Sequence, residues 1–456
     1  MFTNRSRLIL QNPIQLNYGA AVTDIDDDGQ FEIVIAGFSY PNLILKWNGS
    51  GFENIADEVL SDADRHAIGV AACDIDGDGR EELYILNTDT FTGQKHFADR
   101  LFDYADGDWT DLFSLPVNRP VLNLTAGRSV ATVDRLGTGR YGFFIANYGG
   151  PMRLYELDDD GRLRDVAPEA HLNQVTGGRS VLALPLLSGG MDIFAGNEGG
   201  PNFFFRNNGD GTYVDMAELL RVSDSDENAR GVAVLDANQD GLLDIVCGNW
   251  EGPHRLFVQA FDGTFQDRAP DEMASPSRVR TVIAADFDND GSDEIFFNNI
   301  GQPNRLFGWR DEQWVPLAIG DAIEPFGLGT GAVCGDFDGD GRLELLISHG
   351  ETGMQPLTFY HAPANGNHWL RVLPFTRYGA PARGAMVTLH AGGRARHRAI
   401  DAGSGYLCQM EPVAHFGLGE LTEIERVDVR WLDGATVTVE APEPNQVLRI
   451  PYPLTR

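Results

Sequence analysis

An aspartate that closes a short apolar run and opens an acidic, glycine-containing loop recurs along the chain at Asp24, Asp74, Asp134, Asp236, Asp286 and Asp336. The intervals are 50, 60, 102, 50 and 50 residues, and the long one holds "GGRSVLALPLLSGGMDIFAGNEGG", a unit in which Pro185 takes the aspartate's place. A repeat of this length constrains the fold more than any other feature, because every unit must build the same supersecondary structure. Each unit reads as four short strands, as in "GVAVLD", "DIVCGN", "HRLFVQ" and "FQDRAPD". Seven such units without a helical period between them predict an all-β chain folded as a seven-bladed β-propeller. A solenoid would need shorter coils of parallel strands. The last unit has no fourth strand of its own, so residues 5–11, "RSRLILQ", are expected to supply it and close the ring.

The period stops near Asn367. Beyond it "NHWLRVLPF", "GAMVTLHAGG", "RVDVRWLDG", "ATVTVEA" and "QVLRIPY" read as alternating strands separated by glycine turns. The expected division is a propeller over residues 1–366 and a small β-sandwich-like domain over residues 367–456.

The loops carry chemistry. The first presents Asp24, Asp26, Asp28 and Glu32, and the second Asp74, Asp76, Asp78 and Glu82. The fifth offers Asp236, Asn238, Asp240 and Asp244, the sixth Asp286, Asp288, Asp290 and Glu294, and the seventh Asp336, Asp338, Asp340 and Glu344. Oxygen donors at positions 1, 3, 5 and 9 of a turn gather about one point, and without a cation they would repel one another. Hard oxygen ligands without histidine or cysteine select Ca²⁺, so about five calcium sites are expected. An EF-hand would need a glutamate at position 12 and flanking helices. The third loop keeps Asp134 and Thr138, the fourth has Pro185, Leu187 and Gly189, and neither is expected to hold metal.

A formal charge of −32 excludes nucleic acid as the main partner. No apolar run is long enough to span a membrane, and the N-terminus shows no apolar core followed by a cleavage site. Cys73, Cys247, Cys334 and Cys408 are isolated in apolar stretches and read as buried thiols. These features place the sequence as given in the cytoplasm, or outside the cytoplasm, in the periplasm or extracellular space, if a signal peptide has been removed.

The "DxDxDG" loops followed by "xxE[IL]" strands resemble the FG-GAP, or VCBS, repeats of integrin-type propellers over roughly residues 15–365. The tail carries "ARGAMVTL", "AGSGYLCQ" at Ala402–Gln409 and "HFGLG" at His415–Gly419, and resembles the ASPIC/UnbV domain. Together they resemble the cartilage acidic protein 1 family and its bacterial relatives. The resemblance implies a calcium-binding propeller, with secreted matrix proteins among vertebrate members; the UnbV name comes from natural-product gene clusters and keeps an enzymatic role open by analogy.

Six residues before the anchor stand Arg128, Arg179, Arg230 and Arg280 in four consecutive units, and Tyr18, Ile68 and Thr330 in the others. Asn147, Asn197, Asn249 and Asn299 end the second strands. In an antiparallel hairpin these positions meet at the end away from the acidic loop, so they are expected to ring one mouth of the channel, with Tyr148, Trp250 and His254 as walls. Such a ring suits a carboxylate or phosphate, although bonds to loop carbonyls or to Glu198 and Glu251 would account for the arginines structurally. Ser404 in "AGSGY" has no evident base. Two functions follow: a calcium-stabilised module binding a protein, a glycan or an anionic small molecule, or a calcium-dependent biosynthetic enzyme (a cyclase, isomerase or lyase) acting on an anion at that mouth.

Overall fold

The computed structural model describes residues 1–454. Blade 1 is a four-stranded antiparallel meander of Asn17–Thr23, Glu32–Gly37, Leu43–Trp47 and Phe52–Asn54. The same meander recurs in blades opening with Ala67–Cys73, Gly127–Val133, Val175–Leu184, Ala229–Leu235 and Val279–Ala285. Blade 7 consists of Gly329–Gly335, Glu344–His349 and Thr358–His361, completed by Thr3–Asn4 from the other end of the chain. The two inner strands of each blade are buried on both faces, which is why they read as continuous apolar runs, whereas outer strands such as Phe265–Asp267 turn two of three residues to solvent. Around the axis the inner strands approach closely. A Cβ on Gly231 would lie 2.5 Å from the Val282 nitrogen of the next blade.

Ring closure differs from expectation. Thr3 and Asn4 pair with His361 and Tyr360, while residues 5–11 leave the sheet: Asn4 Oδ1 accepts the Ser6 amide at 3.0 Å, Ser6–Leu8 turn as a short 3-10 helix, and Ile9 bridges to Phe52 of blade 1. The segment is thus a strap from the last blade to the first. The asparagine side chain bends it out of the sheet by competing for a backbone donor. Phe2 anchors the strap in the core, edge-on to Phe287 at 4.9 Å. Blades 3 and 4 are joined further, because Gly142–Pro151 and Val175–Leu184 extend past their blades and pair Tyr148 with Gly177 and Pro151 with Val175.

The tail forms two sheets. His368–Pro374 pairs antiparallel with Ala414–Gly419 and parallel with Val447–Ile450, and Met386–Ala391 lies between Arg394–Ala399 and Arg426–Arg430, with Thr436–Glu440 at the edge. Leu370, Val387, Phe416, Val429 and Trp431 fill the space between them. The chain is therefore an all-β propeller with a small sandwich-like domain after it. All four cysteines are free and buried.

Candidate functional site

The disc has two unlike faces. On one, each acidic loop is held by its own backbone. The position-1 aspartate accepts the amide of the glycine five residues on, at 2.8 Å for Asp24 and Gly29 and 2.9 Å for Asp286 and Gly291. The position-9 carboxylate accepts the amide of position 2, as in Glu32 with Ile25 at 2.9 Å and Asp244 with Ala237 at 2.7 Å. The remaining oxygens turn inward. Asp24, Asp26 and Glu32 gather within 4.8 Å, as do Asp74, Asp76 and Asp78, and Asp286, Asp288 and Asp290. Burial, reinforced by the neighbouring carboxylates, pushes Asp74 up to about 7 and Glu294 up to about 10. Asp336 Oδ1 and Glu344 Oε1 are buried without a hydrogen-bond partner. Such loops could hold a divalent cation. The loops of blades 3 and 4 offer one carboxylate each, and backbone amides consume it: Asp134 accepts Gly139, and one oxygen of Asp192 accepts Leu186, Leu187 and Ser188.

In blades 1, 2, 6 and 7 the third strand adds a group to the cluster that reading the loops alone missed. It is Asp103 beside Asp76 and Glu82, and His361 beside Asp338 and Glu344. In blade 1 it is Lys46, 2.6 Å from Asp26, and in blade 6 Arg310, 3.0 Å from Asp290. Glu344 pairs across the sheet with His361, so aligning third strands by the period would have exposed the position.

The C-terminal domain covers this face. Arg383 is fully buried and pairs with Glu81 at 2.6 Å; Arg398 pairs with Asp293; Arg371 reaches Asp336 at 2.9 Å and also Glu411. Glu81 and Asp293 each stand one residue before a position-9 glutamate, so the loops face both inward to their clusters and outward to this domain. From the same side "AGSGYLCQ" enters the central channel and bonds to the inner strands: Ala402 O accepts Thr132 at 2.7 Å, Gly405 exchanges bonds with Val232, and Gln409 with Ala20 and Val22. Its glycines are required. A Cβ on Gly403 would lie 2.6 Å from Ala131 Cβ, and Gly405 has φ 65°.

Tyr406 at the tip of this loop emerges on the opposite face, in a cavity of about 500 Å³. There Tyr18, Ile68, Arg128, Arg179, Arg230, Arg280 and Thr330, one residue from each blade, converge. Each lies at a β-bulge, with the register slipping between Gly127 and Ser129, Gly178 and Val181, Ala229 and Gly231, and Val279 and Thr281 around the arginines. A bulge re-aims a side chain, here toward the axis. Arg179 pairs with Glu198, Arg230 approaches the other oxygen of Glu198 at 3.2 Å, and Arg280 pairs with Glu351 of blade 7. Arg128 donates to the carbonyls of Thr90 and Phe91. The rings of Tyr148 and Trp250 lie 4.6 Å from Arg179 and 4.1 Å from Arg280. Nε of both Arg128 and Arg230 is buried and unpartnered. Burial, then Arg179, holds Arg230 down at about 10.

The asparagines do not line this mouth. Asn147, Asn197, Asn249 and Asn299 each donate to the carbonyl of the proline four residues on, at 2.7, 3.1, 2.8 and 2.7 Å, and so close the turn between the second and third strands. His254 is also absent from the wall. It is buried, its Nδ1 accepting the Asn249 amide at 3.0 Å and its Nε2 2.9 Å from Ser277 Oγ. Both expectations fail for one reason: a hairpin turn buried against the next blade must satisfy its own backbone groups, and these side chains do so.

Repeating acidic loops on a β-propeller, with a second β domain threaded through its axis, define an FG-GAP-type protein. The FG-GAP-like repeat family matches residues 24–85, 188–247, 236–297 and 286–347, and the ASPIC and UnbV family matches residues 376–455. Cartilage acidic protein 1 of Homo sapiens and of Mus musculus are each 50% identical over 499 residues, covering 99% of this chain and 75% and 77% of theirs. That of Xenopus tropicalis is 50% identical over 483 residues, covering 97% of this chain and 74% of its own. The chain belongs to the cartilage acidic protein 1 family. Among the described residues no helix is long and apolar enough to cross a membrane. The expectation of a cytoplasmic chain finds no support in relatives named for cartilage.

Proposed function

We propose that this β-propeller interaction protein is stabilised by calcium on one face and recognises an anionic group at the mouth on the other. About five ions would be held by the carboxylates and carbonyls of loops 1, 2, 5, 6 and 7, with Asp103 added in the second. Calcium would supply the positive charge that lets these buried carboxylates stay ionised. The partner is a protein, a glycan or a small molecule presenting a carboxylate or phosphate, and the place of action is outside the cell, where calcium modules bind at about 10⁻⁴–10⁻³ M; the relatives' name supports that setting.

The observation that carries the reading is the convergence of Arg128, Arg179, Arg230 and Arg280 with guanidinium donors left over. In a chain of net charge −32 a basic mouth opposite the acidic face is where an anion is attracted rather than repelled. Calorimetric titration with acetate, benzoate and inorganic phosphate tests it. The double variant Arg179→Met/Arg230→Met is expected to abolish binding while calcium content after dialysis stays near five per chain. Binding unchanged in the variant sinks the mouth, and calcium near zero sinks the loops. The size of this cavity, about 500 Å³, favours one second reading, an enzyme acting on the bound anion. A change in the mass of the acid after incubation would select it.

A further inference from the structure

Among the described residues, Tyr406 is the only group in the mouth that the C-terminal domain contributes. The domain sits on the acidic face, yet its loop crosses the whole thickness of the disc to place this one phenol among four guanidinium groups. Tyr406 is 6% exposed, and the contact its oxygen makes is with Arg179 Nη1 at 3.5 Å, where the arginine is the donor. No oxygen is placed to accept the phenolic hydrogen. Burial would raise the hydroxyl's pKa, but the arginines, Arg179 foremost, hold it below the ordinary tyrosine range. A buried hydroxyl surrounded only by donors is complete when an acceptor is brought to it.

The charges around it count what that acceptor must be. Four arginines line the cavity against three carboxylates, Asp89, Glu198 and Glu351. Asp89 is turned to His96, and Glu198 and Glu351 are taken by Arg179, Arg230 and Arg280. Arg128 forms no ion pair among the described residues; its donors go to two carbonyls and its Nε to nothing. Two carboxylates, Glu198 and Glu351, thus answer four guanidinium groups, and Arg128, a residue only 9% exposed, pairs with neither. The walls beside it are aromatic. Phe91, 62% exposed, lies 5.1 Å from the Arg128 guanidinium, and Trp250 covers the other side of the cavity.

Resting on the anion-recognising mouth proposed above, we propose that the bound group is the carboxylate of a flat aromatic acid, held against Arg128, accepting the hydrogen of Tyr406 and packed between Phe91 and Trp250. The site is then shared by two domains. The propeller supplies charge and walls, and the C-terminal domain supplies the donor that fixes the carboxylate's position. An aliphatic acid would leave the rings uncovered.

The probe is 2-naphthoate, titrated calorimetrically into the full chain in calcium and compared with acetate and inorganic phosphate. Wild type is expected to bind 2-naphthoate at least tenfold more tightly than either. Tyr406→Phe keeps the ring that fills the channel and should leave the thermal transition in place, yet weaken 2-naphthoate about tenfold or more, as loss of a hydrogen bond to a charged group does. Arg128→Gln gives an independent arm, with the same loss and no change at the channel. Arginine-dependent binding of anions that is indifferent to Tyr406→Phe, or equal for acetate and 2-naphthoate, overturns this inference and leaves the mouth standing. No binding of any anion to wild type overturns both.

Discussion

The two faces of the disc use the same ingredients, arginine and carboxylate, to opposite ends. On the acidic face Arg383 is matched by Glu81 in two hydrogen bonds of 2.6 and 3.0 Å, and its remaining donors reach the carbonyls of Val22 and Asp401. On the mouth Arg230 shares Glu198 with Arg179, leaves Nε unpartnered, and is held down at about 10 by burial and by that neighbour. A complete buried pair is a structural joint, because removing either partner strands the other. An incomplete one stores unsatisfied donors at a cost in stability, and such sites are where a ligand can recover what folding left unpaired. The proposed reading divides the disc accordingly, with stability on one face and recognition on the other.

The largest effect should come from taking the cations away from the acidic face. A ligand present at a hundred times its dissociation constant stabilises the folded state by about 2.7 kcal/mol per site, so five loops together contribute on the order of 10 kcal/mol. Thermal unfolding followed in calcium and again in excess chelator should show transitions far apart. Coincident transitions would overturn the assignment of stability to these loops. Replacing Asp192, whose oxygen is already taken by three backbone amides, should lower both transitions equally, because blade 4 has no ion to lose.

Next in size is Glu81→Ala, which buries Arg383 without its partner and should cost about 3–5 kcal/mol. Arg230→Met on the mouth should cost little, since it relieves repulsion from Arg179 while retaining an apolar stem. Denaturant unfolding of the two variants side by side breaks the comparison if Arg230→Met proves as costly as Glu81→Ala.

Much of this was legible in the sequence, for identifiable reasons. The period of the aspartates is imposed by blades that each need one turn of the same length, so Asp24, Asp74, Asp286 and Asp336 locate four blades directly. Counting six residues back from Asp134, Pro185, Asp236 and Asp286 then finds Arg128, Arg179, Arg230 and Arg280. Other features depend on contacts far apart in the chain. Nothing in "AGSGYLCQ" indicates that it crosses the channel, because its partners are backbone groups of Ala20, Thr132 and Val232. The bulges that aim the arginines leave no residue-type signature. The asparagines were misread although a signal was present: "NYGGP", "NEGGP", "NWEGP" and "NIGQP" all place proline four residues on, the spacing at which the side-chain amide reaches the proline carbonyl.

The smallest predicted effect concerns the one of these mouth-side turns that is capped by an imidazole. In blades 1, 4 and 6 the amide ending the second strand is received by Asn42, Asn202 and Asn304, at 2.9, 3.0 and 2.7 Å. Blade 2 uses the carboxylate of Asp99 in that place, at 2.9 Å from the Asn87 amide, and blade 5 the ring of His254. Its Nδ1 must stay unprotonated to accept the Asn249 amide, and burial, followed by Arg305, pushes its pKa down to about 3. The unfolded chain takes up this proton near pH 6.5 and the folded chain does not, so stability is lost as pH falls through 6.5 toward 3. At pH 5 the loss from this ring alone is about 2 kcal/mol, at 1.36 kcal/mol per pH unit. His254→Asn restores the cap used by blades 1, 4 and 6 and removes the titration. It should unfold close to wild type at pH 8 and become more stable than wild type by that margin at pH 5, measured by denaturant unfolding in saturating calcium. A gap between the two proteins that is the same at both pH values would show that the imidazole is not held neutral.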